Sequence, residues 1–260
     1  MSFLDHLEVL RWHLVRSVVA LVIFMILVFI NKQILFDYIL LAPKSTNFIT
    51  YRLLCRLSEW LNIGETMCVK EIPYNLINID ITGQFMTHIY TSAIGGFVLA
   101  FPYIFWEIWR FVRPALYTTE QKYTQRIVLS ASALFLTGIL FGYFVLAPMS
   151  ILFLGSYQVS EQVSNQINLN SYVSLLSMMT LISGVIFELP LLTFILAKLG
   201  ILTAAFMRKY RRHAIVVIFI FAAIITPSPD VTSQILVAIP LLILYEASIV
   251  VARTVEKRRN

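Results

Sequence analysis

The stretch Val173 to Leu196, VSLLSMMTLISGVIFELPLLTFIL, holds a single charge in its 24 residues, Glu188, within the string Phe187-Glu188-Leu189-Pro190. As a helix it would be about 36 Å long, enough to cross a hydrocarbon core of about 30 Å. Burying a carboxylate at that depth is costly even on lenient insertion scales, so such a residue usually faces protein or trapped water and marks a functional path. This stretch therefore points to a membrane-embedded fold and away from a soluble one.

Working outward, the remaining sequence has the same character. The 260 residues are 59% hydrophobic and 13% charged, and the mean hydropathy is strongly positive, which excludes a water-soluble domain of this size. Further apolar runs cover Leu14 to Ile30, Gln84 to Ile108 and Val128 to Leu154. Ala214 to Thr226 has only 13 residues, about 20 Å as a helix. Ser233 to Val251 is interrupted by Pro240. The expected fold is an all-α integral membrane protein with six transmembrane helices, the final two short, forming one polytopic domain over residues 1–260.

Basic residues set the orientation. Arg11, Arg16, Arg110, Arg113, Lys122, Arg126, Lys198, Arg208, Lys209, Arg211, Arg212, Arg253, Lys257, Arg258 and Arg259 all fall on one side, 15 of the 20 Lys and Arg residues. The segments from Ile151 to Tyr172 and Pro227 to Thr232 on the other side contain none. By the positive-inside rule both termini are expected in the cytoplasm. The exception is residues 31–82, where five basic residues accompany Asp37, Glu59, Glu65, Glu71 and Asp80; this is expected to be a solvated, partly helical external cap. The net charge of +6 is thus a topology signal and not a nucleic-acid footprint. The first apolar run exceeds a signal-peptide core and lacks a small-residue cleavage pattern, so it is expected to remain as a span.

Cys55 and Cys68 both fall in the external cap, where an oxidising compartment would permit a bridge; two free thiols is the other reading, and metal binding lacks partners nearby. No internal repeat is visible. At the amino terminus Asp5, Glu8 and Trp12 share one face at helical spacing, giving an amphipathic segment at the interface in which Glu8 and Arg11 can pair with each other. Between spans two and three, Pro114 ends the helix and leaves Glu120 on a turn as a cap beside Lys122 or a free acceptor. Two carboxylates on one cytoplasmic surface would form a receptor for guanidinium groups, since each accepts a bidentate Arg fork. In Thr226-Pro227-Ser228-Pro229-Asp230-Val231-Thr232-Ser233-Gln234 the prolines force a reversal and Asp230 caps the last span. Gln234, four residues on, lies on the same face, so its amide should meet another helix or water.

Taken in order, these strings resemble the TatC family of the twin-arginine protein translocase. The likeness rests on His6-Leu7-Glu8-Val9-Leu10-Arg11, Ala100-Phe101-Pro102, Phe111 with Pro114-Ala115-Leu116-Tyr117 through Glu120, Phe141-Gly142-Tyr143-Phe144, Phe187-Glu188-Leu189-Pro190, Thr226 to Gln234, Ala238-Ile239-Pro240 and Leu244-Tyr245-Glu246. It implies a glove-shaped bundle in the bacterial inner membrane, with no catalytic residue, cofactor or metal, that exports folded proteins on the proton-motive force. Twin-arginine signal peptides would be bound by Glu8, Arg11, Phe111 and Glu120. Glu188 would line a water-filled concave face. Single-span TatA- and TatB-like partners would meet the last two spans near Thr226, Asp230 and Gln234, within a larger complex holding several copies. The family typically writes His-Leu-x-Glu-Leu-Arg, and Val9 occupies the place of its glutamate; Glu8 lies about 100° away around the helix.

Two other readings lack support in the sequence. A proton-coupled carrier using Glu188 would need a second midplane polar partner and repeated halves. An enzyme combining Glu188, Asp230 and one of His6, His88 or His213 would need a constellation that these scattered positions do not form. His88 is expected to be a helix-contact residue.

Overall fold

The first apolar run is part of a longer helix: α1, Phe3–Ile30, is continuous through the amphipathic amino-terminal residues, which are therefore not a separate interfacial element. No Pro or Gly falls between Phe3 and Ile30 to interrupt it. The computed structural model describes residues 3–60, 68–69, 72, 74–112, 124–160, 162, 165–225 and 231–259. Beyond α1, a π-helical turn, Ile34–Leu40, and a 3-10 turn, Ala42–Lys44, lead to α2, Ile49–Trp60. Strand β1, Asn75–Ile77, precedes α3, Gly83–Val112.

α4, Thr124–Phe141, passes through a π-helical segment, Gly142–Leu146, into α5, Ala147–Ser156. Pro148 has no N–H to donate to the carbonyl of Phe144, and the Thr50 hydroxyl of α2 donates to that carbonyl instead. Strand β2, Gln166–Asn168, opens α6, Leu169–Phe187, followed by α7, Leu189–Lys198. Then come α8, Ala204–Lys209, α9, Arg211–Ile225, and α10, Val231–Arg259.

Among the described residues five stretches are long and apolar enough to cross a membrane: Glu8–Ile30, Gly83–Phe111, Ile127–Ser156, Leu169–Lys198 and Val237–Lys257. α9 is the expected short span, 15 residues or about 22 Å. The last helix departs from expectation. α10 has 29 residues and runs straight through Pro240, because packing along α7 holds a helix that has lost one hydrogen bond.

α1 and α3 pack most extensively. Gly96 makes this possible: a methyl group there would lie 2.6 Å from the Met25 backbone nitrogen, so only a bare Cα lets the two backbones approach. Gly138 of α4 and Gly142 of the π-helical segment do the same against α6, with Ser183 and Thr180 backbone atoms 2.6 and 2.7 Å from where a Cβ would stand. The main core gathers Leu146, Ile151, Val173, Leu176, Phe187, Val237 and Leu241. By connectivity the start of α1, the ends of α3 and α7 and the end of α10 share one end of the bundle.

The opposite end carries the cap. Tyrosine hydroxyls tie it to the spans: Tyr51 donates to the Pro148 carbonyl of α5 at 3.4 Å as well as to Pro43 within the cap at 3.1 Å, Tyr143 donates to Ile39 at 2.7 Å and Tyr172 to Leu40 at 2.9 Å. Burial holds the Tyr51 phenol well above its ordinary pKa and pushes that of Tyr74 up to about 12, so both stay neutral at physiological pH. Cys55 and Cys68 are joined by a disulfide, Cα to Cα 4.4 Å. β1 and β2 pair in parallel, Asn75 with Gln166 and Ile77 with Asn168; the sequence reading had no strand here.

Candidate functional site

At the amino-terminal foot of the bundle α1 presents Glu8 and Arg11 to solvent. Their side chains are each 68% exposed and 3.9 Å apart, a loose i, i+3 pair of the kind that contributes little. The Arg11 guanidinium also lies 5.9 Å from the Trp12 ring. Phe111 stands in the last turn of α3 and meets the edge of the His13 ring, with centroids 6.2 Å apart. The α3 end of the expected signal-peptide surface thus meets α1 at His13, whereas Glu8 and Arg11 stand on other faces of that helix. Glu120 lies outside the described residues.

Beneath this surface is a cluster that sequence reasoning missed. Glu107, 2% exposed, receives the Tyr103 hydroxyl on Oε1 at 3.1 Å and pairs through Oε2 with His13 Nδ1 of α1. Both partners come from regular helical geometry: Tyr103 is one turn before Glu107 on α3, and His13 faces it across the closest helix pair. Glu107 sits at the edge of the run Gln84 to Ile108, where the rule that drew notice to Glu188, an acid in apolar surroundings, loses its force because charges are ordinary at the end of a span.

Glu188 occupies the junction of α6 and α7. Its N–H donates to the Val185 carbonyl at 3.1 Å, and Pro190 opens the following helix, so the membrane stretch Leu169–Lys198 is two helices with the acid at the break. Neither carboxylate oxygen has a hydrogen-bond partner among the described residues, and both are buried. The carboxyl therefore does not cap the backbone freed by Pro190. An apolar cavity of about 710 Å³ opens between α1, α3, α4 and the π-helical turns, lined by Leu27, Tyr38, Thr91, Leu140, Tyr143 and Thr180 among others; Glu188 is not among its lining residues.

At the hairpin of the last two helices, Thr226 and Asp230 lie outside the described residues. Gln234 is described, and its amide donates to the Phe219 carbonyl of α9 at 3.0 Å, so the helix it meets is its own neighbour. Val216, Val217, Ile220, Phe221 and Ile224 leave α9 with an exposed apolar face. His88 stacks on Phe29 at 4.0 Å and its Nε2 lies 3.1 Å from the Phe29 carbonyl, a helix contact between α1 and α3 as expected. Among the described residues no three His, Cys, Asp or Glu side chains gather as a metal site.

A family model described as Sec-independent protein translocase protein (TatC) matches residues 5–240. The Sec-independent protein translocase protein TatC of Blattabacterium sp. subsp. Periplaneta americana (strain BPLAN) is 40% identical over 260 residues, covering 100% of this chain and 97% of that protein. That of Carboxydothermus hydrogenoformans is 36% identical over 258 residues, 99% of this chain and 95% of the relative. A crystal structure of the twin-arginine translocase receptor TatC superposes with a TM-score of 0.70 at 29% identity, covering 96% of this chain and 99% of that one. Likeness in sequence over the full length and in fold over nearly all of it agree, and the chain belongs to the TatC family.

Proposed function

We propose that this chain is the core receptor subunit of a twin-arginine translocation system. It binds twin-arginine signal peptides and nucleates a translocase that exports folded proteins across the bacterial inner membrane on the proton-motive force. In this reading Glu120 and Glu8 take the paired guanidinium groups, while Arg11 and Phe111 border the site. Both termini lie in the cytoplasm. The chain works as several copies within a larger complex.

The observation that carries the reading is the state of Glu8. It is solvated, its one ion pair among the described residues is a 3.9 Å contact with an equally exposed Arg11, and it stands on the helix packed against the one whose last turn holds Phe111. An incoming guanidinium can displace Arg11 at little cost, because an exposed pair of this kind is worth about 0–1 kcal/mol, and a guanidinium fork that donates two parallel N–H bonds to the carboxylate is the stronger geometry. Single-span TatA- and TatB-like partners fit the exposed apolar face of α9, with Thr226, Asp230 and Gln234 at its end; the short span favours local bilayer thinning or cover by such a partner. Glu188, buried without a partner, supplies the polar group of the membrane interior, where it holds water.

The test is photocrosslinking of a signal peptide to membranes containing the full chain. Adducts near residues 8 and 120 are expected, to be lost when the paired arginines become lysines and when Glu120 is changed to Arg. Undiminished crosslinking in Glu120→Arg and in the Glu8→Ala/Glu120→Ala double variant would overturn the receptor assignment.

A further inference from the structure

The faces of α1 and α3 that meet beside the Glu107 cluster carry one pattern in opposite directions. On α1, Trp12, Arg16, Val19 and Ile23 recur at i, i+4, i+7 and i+11 and so share a face, and all four are exposed. On α3, Arg110, Trp106, Tyr103 and Leu99 do the same from the helix end inward, with Arg110, Trp106 and Leu99 exposed. Both arginines line one open groove of about 370 Å³ with Val9, Trp12 and His13, and both lie within Coulombic reach of the Tyr103 hydroxyl.

The charges do not balance locally. Arg16 and Arg110 form no ion pair with an acid among the described residues. Glu107 is buried and already holds His13 and Tyr103, and Glu8, one turn before Trp12 on α1, lies 3.9 Å from Arg11. Two guanidinium groups thus converge on a groove whose acidic neighbours are engaged, at the depth marked by Trp12, Tyr103 and Trp106. Aromatic side chains of this type sit at the headgroup level of a bilayer. Directly inward of the arginines are lipid-facing apolar side chains, Val19 and Ile23 on one wall and Leu99 on the other.

From this arrangement we infer that the groove is a binding site for an anionic phospholipid of the leaflet at the amino-terminal face. Arg16 and Arg110 grip the phosphate, Trp12 and Trp106 flank the headgroup, and an acyl chain runs over Val19, Ile23 and Leu99. Basic pockets between transmembrane helices on the cytoplasmic side suit such headgroups, and the guanidinium fork matches phosphate oxygens. The exposed apolar strip beyond the arginines is what commits the site to a lipid, since a free anion would make no use of it. The groove adjoins the proposed signal-peptide surface through Val9 and through His13, which meets Phe111, but the phosphate-gripping residues, Arg16 and Arg110, are distinct from Glu8, Arg11, Phe111 and Glu120.

Native mass spectrometry of the detergent-solubilised full chain tests this, with phosphatidylglycerol and phosphatidylcholine offered together. The wild type should retain phosphatidylglycerol preferentially, and Arg16→Gln/Arg110→Gln should lower that preference about thirtyfold, as expected for two basic residues near a membrane surface. Arg16→Lys/Arg110→Lys, which keeps the charge, should retain most of the preference. Arg208→Gln/Arg212→Gln, which removes the same charge elsewhere on that end of the bundle, should leave it unchanged. An intact Cys55–Cys68 bond and an unshifted unfolding midpoint verify the fold of each variant. The proposal is overturned by an unchanged preference in the Arg16/Arg110 glutamine variant, by an equal loss in the Arg208/Arg212 control, or by displacement of the lipid by millimolar inorganic phosphate, which would assign the site to a free anion.

Discussion

Glu107 and Glu188 are both acids within membrane-crossing stretches, yet their surroundings differ. Glu107 has a partner on each oxygen, one from its own helix and one from α1. Glu188 has none among the described residues. A buried polar pair becomes a liability when one member is removed, because the other keeps polar atoms with no partner. Glu107→Ala, which strands the His13 ring and the Tyr103 hydroxyl, is therefore expected to destabilise the protein by about 1–3 kcal/mol, and His13→Leu/Glu107→Leu to recover most of that loss. Unfolding titrations in micelles measure both; a Glu107→Ala midpoint equal to wild type would show that the pair contributes nothing. Glu188 was legible in the sequence because nothing else in its 24-residue run is charged. Glu107 was not, because it lies three residues before Arg110 at a run's edge, where charges are ordinary, and only the fold shows that α1 covers it. His13 went unnoticed for the same reason: a histidine at an interface has many uses, and its partner is 94 positions away.

The helices were legible to the extent that they are apolar and long. Each expected span has a counterpart, and the brevity of α9 followed directly from its 13-residue run. Where the sequence misled, backbone hydrogen bonding explains it. Pro240 looked like an interruption, but a proline costs one bond in a helix that neighbours support, so α10 continues to Arg259. Close approach of α1 and α3 was invisible too, since a glycine in an apolar run announces a helix contact only when its neighbour is known. Gly96→Leu is expected to force these two helices apart and cost about 1–3 kcal/mol or more through overpacking. Loss of a cysteine crosslink engineered between positions 29 and 88, which now stack at 4.0 Å, would register the separation; retention of that crosslink together with wild-type stability would refute it.

Over the whole molecule, the five long spans, the short α9 and the return of the start of α1 and the end of α10 to one end were readable from hydropathy and charge, whereas the architecture of the cap was not. Three-residue strands leave no periodic signature, and the cysteines permitted a bridge without requiring one. That bridge closes a loop with a sequence separation of 13, for which chain-entropy arguments give about 3 kcal/mol. Reduction, or Cys55→Ser, should lower the unfolding midpoint accordingly, whereas an unchanged midpoint under reductant would mean that the tyrosine bonds alone secure the cap. The pairing of β1 with β2 adds a constraint of timing. Asn75 to Ile77 leave the ribosome long before Gln166 to Asn168 exist, and in a parallel pair no hairpin can stand in for the missing strand. A nascent chain halted before its fourth crossing therefore carries an unfinished cap, which is completed only as Leu169 begins the helix that ends at Phe187, beside Glu188.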